Sequence, residues 1–164
     1  MLLSEQAYRK IDKELTKFPA NRRRSATLAA LTIAQDEKGW VSTEVIEEVA
    51  NYLRLAPIAV QEVASFYNML NTKPVGRYKI TVCSNLPCAL QGSVVTIDHL
   101  KRKLGVDLSE TTEDGMFTLQ EGECMGACGD APVMLVNDKH MCVRMVPEEA
   151  DVLLDALKKD GGAL

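Results

Sequence analysis

The amino-acid sequence predicts an α+β protein, with an N-terminal helical bundle followed by a smaller domain of strands and helices. Apolar residues recur at helical spacing through residues 1–75, whereas from Arg77 they alternate with polar residues as in a strand. Between these regions, Pro74 and Gly76 interrupt both patterns. We therefore expect two domains, residues 1–75 and 76–164.

The first two helices of the bundle are bounded by recognisable capping residues. Ser4 can cap a helix that extends to about Lys17. A second helix is predicted from Arg22 to about Lys38, because Gly39 suits the position just past a helix end.

The third and fourth helices are separated by a proline. Ser42 or Thr43 can cap the third helix, and Pro57 suits the first position of a fourth helix that runs to about Met69. The predicted buried side of the fourth helix consists of Ile58, Val60, Val63, Ala64 and Tyr67. Four amphipathic helices of this kind can pack as a small bundle.

The second domain is predicted to follow the order strand, helix, strand, strand, strand, helix. The predicted strands are residues 77–83, 116–121, 133–136 and 140–144, and the predicted helices run from near Ala89 to Leu104 and from Pro147 onward. Asn137-Asp138 should form a tight turn between the last two strands. A thioredoxin-like layout is one arrangement that accommodates this order.

Composition and charge argue against several classes of protein. No stretch approaches the roughly 20 apolar residues of a membrane-spanning helix, and the N-terminus lacks the apolar run of a signal peptide, so we expect a cytoplasmic chain without membrane insertion.

The net charge is −4, and residues 76–164 carry nine Lys and Arg against fourteen Asp and Glu. Such an acidic surface repels phosphate backbones, so nucleic-acid binding is not expected. No dinucleotide or Walker motif and no nucleophile paired with a base is present, and we expect no catalytic residues.

All five cysteines lie in the second domain, which points to metal or redox chemistry in a chain with no export signal. Cys83 and Cys88, the first cysteine pair, have the spacing Cys-x4-Cys. After 35 residues, Cys124 and Cys128, the second cysteine pair, have the spacing Cys-x3-Cys. A 2Fe-2S cluster usually takes four thiolates, two for each iron. The two pairs are therefore the candidate ligands of one 2Fe-2S cluster.

The residues around the second cysteine pair suit such a cluster. Small residues let backbone N–H groups approach sulfur, and those near the pair are Gly122, Gly126, Ala127, Gly129 and Ala131. The N-terminus of the helix expected after Cys88 would offset the cluster's negative charge. Glu121, Glu123 and Asp130 oppose the further negative charge that reduction adds, so we predict a low reduction potential.

Three other interpretations of the four cysteines remain open at this point. A structural zinc site also takes four cysteines, although its usual spacing is close to Cys-x2-Cys. A disulfide-exchange enzyme would carry a Cys-x2-Cys pair beside a helix, and the four could also be unrelated core residues. Cys142 lies in a predicted strand and is assigned to the core, while His99 and His140 are not needed as ligands.

Several segments together resemble the family of the 24 kDa subunit of respiratory complex I, the NADH:quinone oxidoreductase. The resemblance covers nearly the whole chain, and the four ligand positions show no departure from the family pattern. Besides the two cysteine pairs, it is carried by Glu123–Cys128, Ala131-Pro132, Gly39-Trp40, Val63–Tyr67 and Pro74–Tyr78.

The resemblance implies a helical bundle followed by a thioredoxin-like 2Fe-2S ferredoxin domain, with the cluster bound by Cys83, Cys88, Cys124 and Cys128. It also implies an electron-transfer subunit of an NADH dehydrogenase of the respiratory chain, whose cluster exchanges an electron with the FMN of a partner. That partner is the 51 kDa flavoprotein subunit, which binds NADH and FMN in the peripheral arm of complex I at the inner membrane.

Two alternatives accompany this expectation. Related small subunits with the same fold and cluster occur in NAD-linked hydrogenases and formate dehydrogenases, and the motifs around the cysteines do not separate them. In a different class, the chain would be a structural, zinc-bound interaction module. For partner binding, the candidate apolar patch consists of Trp40, Phe66, Tyr67 and Met69, although Phe66 and Tyr67 could equally fill the bundle core.

Overall fold

The computed structural model of the protein describes residues 2–159. Within these residues the chain divides between Pro74 and Val75 into two compact units. None of the helices in the described part of the chain combines the length and the apolar character that crossing a bilayer requires.

The first unit is helical. Its helices are α1 (Glu5–Leu15), α2 (Thr27–Lys38), α3 (Thr43–Leu53) and α4 (Pro57–Phe66). The predicted caps are confirmed: the Ser4 hydroxyl accepts the N–H of Ala7, and the Ser42 hydroxyl accepts the N–H of Val45. Gly39 adopts a left-handed conformation with φ 84° at the end of α2, where glycine carries no steric penalty.

The second helix begins later than the sequence predicts. Residues Arg23–Ala26 form a 3₁₀ turn, and α2 starts at Thr27 instead of Arg22. The Arg23 guanidinium donates to the carbonyl oxygens of Tyr52 and Leu53 at 3.0 and 3.1 Å. This turn thereby satisfies two carbonyl groups at the end of α3, a contact that the local sequence does not reveal.

The predicted inner side of α4 is partly wrong. Val60 and Ala64 are buried in the bundle core, but Ile58 is 66% exposed and Tyr67 is 39% exposed. Phe66, at the end of the helix, is 80% exposed. Helix α4 packs mainly on α2 and α3, so the side of α4 that carries Val60 and Ala64 is covered while Ile58 is not.

The second unit is a five-stranded mixed sheet with three helices. Its strands are β1 (Tyr78–Cys83), β2 (Glu110–Thr111), β3 (Phe117–Gly122), β4 (Met134–Val136) and β5 (His140–Cys142). The strand order is β2-β3-β1-β4-β5, with β1 parallel to β3 and the other neighbours antiparallel. The two-residue strand β2 was not predicted, because it is too short to show an alternating pattern.

One face of this sheet forms the core of the second unit. The strand predicted from the alternation of residues 77–83 is confirmed as β1, and Tyr78, Ile80 and Val82 all contribute to this core, although Lys79 and Thr81 between them are buried as well. The helices of the unit are α5 (Leu86–Leu90), α6 (Ser93–Leu104) and α7 (Pro147–Lys159). Leu100 of α6 and Leu154 of α7 are fully buried against the same face of the sheet.

The helix predicted from Ala89 to Leu104 is in fact two helices. Gly92, with φ 94°, separates α5 from α6, and Cys88 lies inside α5 instead of before the helix. The tight turn between β4 and β5 follows the prediction, because Asn137 and Asp138 both have positive φ, and the N–H of Lys139 donates to the carbonyl oxygen of Val136 at 3.2 Å to close the turn around them.

Candidate metal centre

The parallel pairing of β1 and β3 brings the two cysteine loops to one edge of the sheet. Cys83, the last residue of β1, lies opposite Gly122, the last residue of β3. Because parallel strands leave a sheet at the same edge, the loops that follow them start side by side. The first loop carries Cys83 and Cys88, and the second carries Cys124 and Cys128.

The first cysteine pair is buried beneath this edge. Cys83 and Cys88 are each 1% exposed and pack around Val133. The N–H of Cys83 donates to the carbonyl oxygen of Val133 at 3.0 Å. Cys88 occupies the inner side of α5, so that short helix positions its thiol toward the strand end.

The second cysteine pair is exposed, and its two sulfur atoms are close together. The Cys124 and Cys128 Sγ atoms are 3.5 Å apart. The N–H of Gly126 donates to the Cys124 Sγ at 3.4 Å, with Gly126 at φ 81°. Thus a backbone N–H is directed at a candidate ligand sulfur, as the small residues of this loop predict.

Hydrogen bonds from Ser84 and Asn85 join the loops, including a long bond of 3.5 Å from the Ser84 hydroxyl to the carbonyl oxygen of Gly122. The N–H of Ser84 donates to the carbonyl oxygen of Gly122 at 3.0 Å, and the Asn85 side-chain amide donates to the Glu123 carboxylate at 2.8 Å. Asn85 also caps α5 by accepting the N–H of Leu86 at 3.2 Å. One side chain therefore fixes both the helix that carries Cys88 and the start of the second loop.

A third segment holds the far end of the second loop. Arg144 donates its backbone N–H to the carbonyl oxygen of Asp130 at 2.8 Å and its guanidinium to the Asp130 carboxylate at 2.9 Å. The N–H of Met145 donates to the carbonyl oxygen of Pro132 at 2.9 Å. Neither Asn85 nor Arg144 was predicted from the sequence, and only the helix-capping preference of asparagine could have indicated Asn85.

The thiols affect one another's protonation. Burial, a hydrogen bond to Cys83 and the charge of Cys128 raise the pKa of Cys88. A hydrogen bond to Cys124 and the charges of Cys124 and Cys83 raise the pKa of Cys128. The two pairs therefore lie within range of each other's charge. Thiolates within range of each other's charge repel one another, and cations bound between them would relieve that repulsion.

The arrangement of the thiols fits a binuclear centre. The cysteines form one pair on each loop, and each iron of a 2Fe-2S cluster takes two thiolates. The donor set and its division between the loops thus suit two irons, one for each pair.

The remaining candidate residues lie elsewhere in the second unit. Cys142 is half-buried, pairs with Met134 across β4 and β5, and packs against the sheet core as predicted. Burial raises the pKa of the Cys142 thiol. His99 contacts Asp151 of α7 at 2.7 Å, while His140 is exposed in β5.

Comparison with known proteins identifies the family of the chain. Residues 11–158 match the family described as thioredoxin-like [2Fe-2S] ferredoxin.

Two curated relatives bear names from one enzyme class. An NADH-quinone oxidoreductase subunit from Rickettsia conorii is 44% identical over 147 residues, which are 89% of this chain and 87% of the relative. The mitochondrial NADH dehydrogenase [ubiquinone] flavoprotein 2 of Dictyostelium discoideum is 43% identical over 130 residues, which are 79% of this chain and 53% of that protein.

Among solved structures, an NAD+-reducing [NiFe]-hydrogenase in the air-oxidized state has a similar fold. The TM-score is 0.74 at 22% identity, and the match covers 88% of this chain but 25% of the hydrogenase chain. That similarity concerns the fold, whereas the sequence match extends over most of the chain. This chain belongs to the family of thioredoxin-like [2Fe-2S] ferredoxins.

Proposed function

We propose that this chain is an electron-transfer subunit that carries one 2Fe-2S cluster on Cys83, Cys88, Cys124 and Cys128. The observation that carries the proposal is the parallel pairing of Cys83 with Gly122, which starts the two cysteine loops at one edge of the sheet. Family membership supports the identity of the cluster. When bound, such a cluster takes up and returns one electron.

The two cysteine pairs of this chain would hold the cluster in different environments. The first cysteine pair lies in the interior, where burial limits access of water. The second pair lies at the surface, where a partner protein can approach. The Gly126 N–H, directed at the Cys124 sulfur, would favour negative charge on that ligand.

We further propose that the electrons come from NADH within an NADH:quinone oxidoreductase. Identity of 44% over most of both chains to a protein named as one of the subunits of that enzyme supports this assignment. The partner would be the 51 kDa flavoprotein subunit, which would bind NADH and FMN, within the peripheral arm of the complex on the cytoplasmic side of the inner membrane. The hydrogenase similarity, at 22% identity, supports the fold and does not favour a hydrogenase role.

The ligand assignment can be tested by single substitutions. Each of Cys83→Ser, Cys88→Ser, Cys124→Ser and Cys128→Ser should lower or alter the red-brown absorption and the EPR signal of the dithionite-reduced protein, because a hard oxygen replaces a thiolate. Cys142→Ser is the matched control and should keep both signals. Iron and acid-labile sulfide, assayed on the anaerobically purified wild type, should each be about two per chain. A colourless wild-type protein that contains zinc would refute the proposal and favour a structural module.

A further inference from the structure

An exposed, uncharged surface lies beside the candidate metal centre. From Ser84 to Ile97 the sequence contains no Asp, Glu, Lys or Arg, although 26% of the whole chain is charged. Burial does not explain this lack of charge, because part of the segment is exposed to solvent. Its exposed apolar side chains, with the exposed fraction of each residue, are Leu86 (68%), Leu90 (76%), Val94 (50%) and Val95 (59%).

Helix α5 connects this surface to the cysteines. Cys88 is buried on the inner side of α5, while Leu86 and Leu90, four residues apart, share its outer side. Val94 and Val95 continue the exposed apolar surface in the first turn of α6. We call Leu86, Leu90, Val94 and Val95 the α5–α6 face. A protein that covered this face would stand directly over the helix that carries a candidate ligand.

The α5–α6 face has an acidic border on the side of the second cysteine loop. The hydrogen bond from Asn85 to Glu123 joins the start of α5 to that loop, which also contains the exposed Cys124 and Cys128. Among residues 2–159, Glu123 forms no ion pair within 4.0 Å, and it is exposed. The surface therefore combines an apolar centre with a carboxylate outside ion pairs at one edge, a composition typical of a protein interface.

We propose that the α5–α6 face is the docking surface for the redox partner of this chain. The proposal rests on the function proposed above and specifies where the flavoprotein binds. The partner's matching surface should be apolar at its centre, with a Lys or Arg side chain opposite Glu123. A second copy of this chain suits the face less well, because two such acidic borders would repel each other.

The experiment compares tagged chains co-expressed with the other subunits of the chain's own complex. Complexes are purified through the tag, and the ratio of FMN to chain is measured together with the cluster absorption. Leu90→Glu should lower the FMN ratio about tenfold, because it places a charge at the centre of an apolar interface. Val152→Glu is the matched control: Val152 is 64% exposed on α7, outside the α5–α6 face, and this variant should retain the wild-type FMN ratio.

The outcomes separate this inference from the proposed function. If wild-type complexes contain no FMN, the proposed function fails, and the docking surface fails with it. If wild-type and Leu90→Glu complexes contain equal FMN, or if Val152→Glu loses as much, only the docking surface is refuted. Should Leu90→Glu lose its cluster absorption, Leu86→Gln provides the same comparison with a neutral side chain.

Self-association is the competing outcome. Light scattering of the purified wild-type chain should show a monomer at the concentrations used for docking. A wild-type dimer that Leu90→Glu converts to a monomer would refute the flavoprotein as the occupant, because the face would then belong to a contact between two copies of this chain.

Discussion

At the scale of single residues, Gly122 has the least room for a side chain near the candidate metal centre. A Cβ atom at this position would lie 2.6 Å from the Thr81 methyl group and 3.2 Å from the end of the Met125 side chain. Thr81 is 8% exposed on the central strand, and its branched side chain has few alternative rotamers. Gly122 also pairs with Cys83, so a shift of the backbone at Gly122 would displace a candidate ligand.

We therefore expect Gly122→Ala to displace the end of β3 and to speed loss of the cluster. The free energy of unfolding should fall by about 1–3 kcal/mol, as for overpacking in a filled core. The matched control is the double variant Gly122→Ala with Thr81→Ser, because it lacks the methyl group that the new Cβ would meet and should bleach at about the wild-type rate. The measurement is the rate of visible bleaching in the presence of an iron chelator, and equal rates in the two variants would contradict the prediction.

At the scale of helices, two buried hydroxyl groups of α6 offer a direct comparison. Thr96 and Ser93 are both fully buried. The Thr96 hydroxyl donates to the carbonyl oxygen of Met145 at 2.9 Å, in the segment that leads into α7. The Ser93 hydroxyl has no hydrogen-bond partner in the part of the chain that the structure describes.

Thr96→Val should therefore lower the free energy of unfolding by about 1–3 kcal/mol, because it leaves a buried carbonyl without its donor. Ser93→Ala removes a hydroxyl that makes no such bond, and its effect should be near zero or slightly stabilising. Urea unfolding of both variants tests this difference. An equal loss of stability in the two would show that the Thr96 hydrogen bond contributes little.

Two tyrosines link α1 to α3 in the first unit. The Tyr8 hydroxyl donates to the Glu48 carboxylate, and the Tyr52 hydroxyl donates to Asp12 at 2.6 Å. Burial first, and then these bonds to carboxylates, raise the pKa of each tyrosine from 10.0 to about 12. The folded state thus binds the phenolic protons more strongly than the unfolded state does.

Because the folded-state pKa is raised, the stabilisation is fully present below pH 10.0 and is lost as the pH rises toward about 12. The free energy of unfolding of the first unit should decrease across that interval. In the variant that combines Tyr8→Phe with Tyr52→Phe, the decrease should be smaller, since no phenolic proton is bound. Urea unfolding followed by far-ultraviolet circular dichroism at several pH values measures the decrease in the wild-type chain and in the double variant. The same decrease in the double variant would rule out these tyrosines as its cause.

At the scale of the whole molecule, the division between Pro74 and Val75 separates the bundle from all five cysteines. The two main apolar cores also divide at this point, since one contains only residues of the first unit and the other only residues of the second. Each unit therefore has a core of its own, as an independently folding domain requires.

A chain lacking residues 1–74 should accordingly keep its 2Fe-2S absorption but bind the flavoprotein more weakly. The weaker binding is expected because Phe66, 80% exposed, and Tyr67 form an edge-to-face aromatic pair on the surface of the first unit. Visible absorption and the amount of FMN that co-purifies test the two parts separately. A colourless truncated chain would show that the bundle supports the ferredoxin fold instead.

Local features of the fold could be predicted because their causes lie within a few residues of one another. A capping hydroxyl such as Ser4 or Ser42 accepts an N–H three residues along the chain. The Asn137-Asp138 turn and the start of α7 at Pro147 follow from the backbone preferences of those residues. The break at Gly92 was missed, because an apolar pattern continues across it.

Lys79 illustrates a feature that no local pattern predicts. It occupies a polar position in the alternation of β1, yet it is 2% exposed and forms an ion pair with Asp138 at 2.5 Å. A buried charge of this kind is tolerated only with a partner, which here comes from the turn between β4 and β5. That turn lies beside β1 because β4 pairs with β1.

The sequence by itself determined which residues can hold a cluster, since four thiolates in two closely spaced pairs are a matter of residue type and spacing. Only the tertiary structure decided that Cys83 lies opposite Gly122, that the first pair is buried and that the second is exposed. Strand register and burial arise from contacts between residues far apart in the chain, and the spacing of neighbouring residues does not encode them.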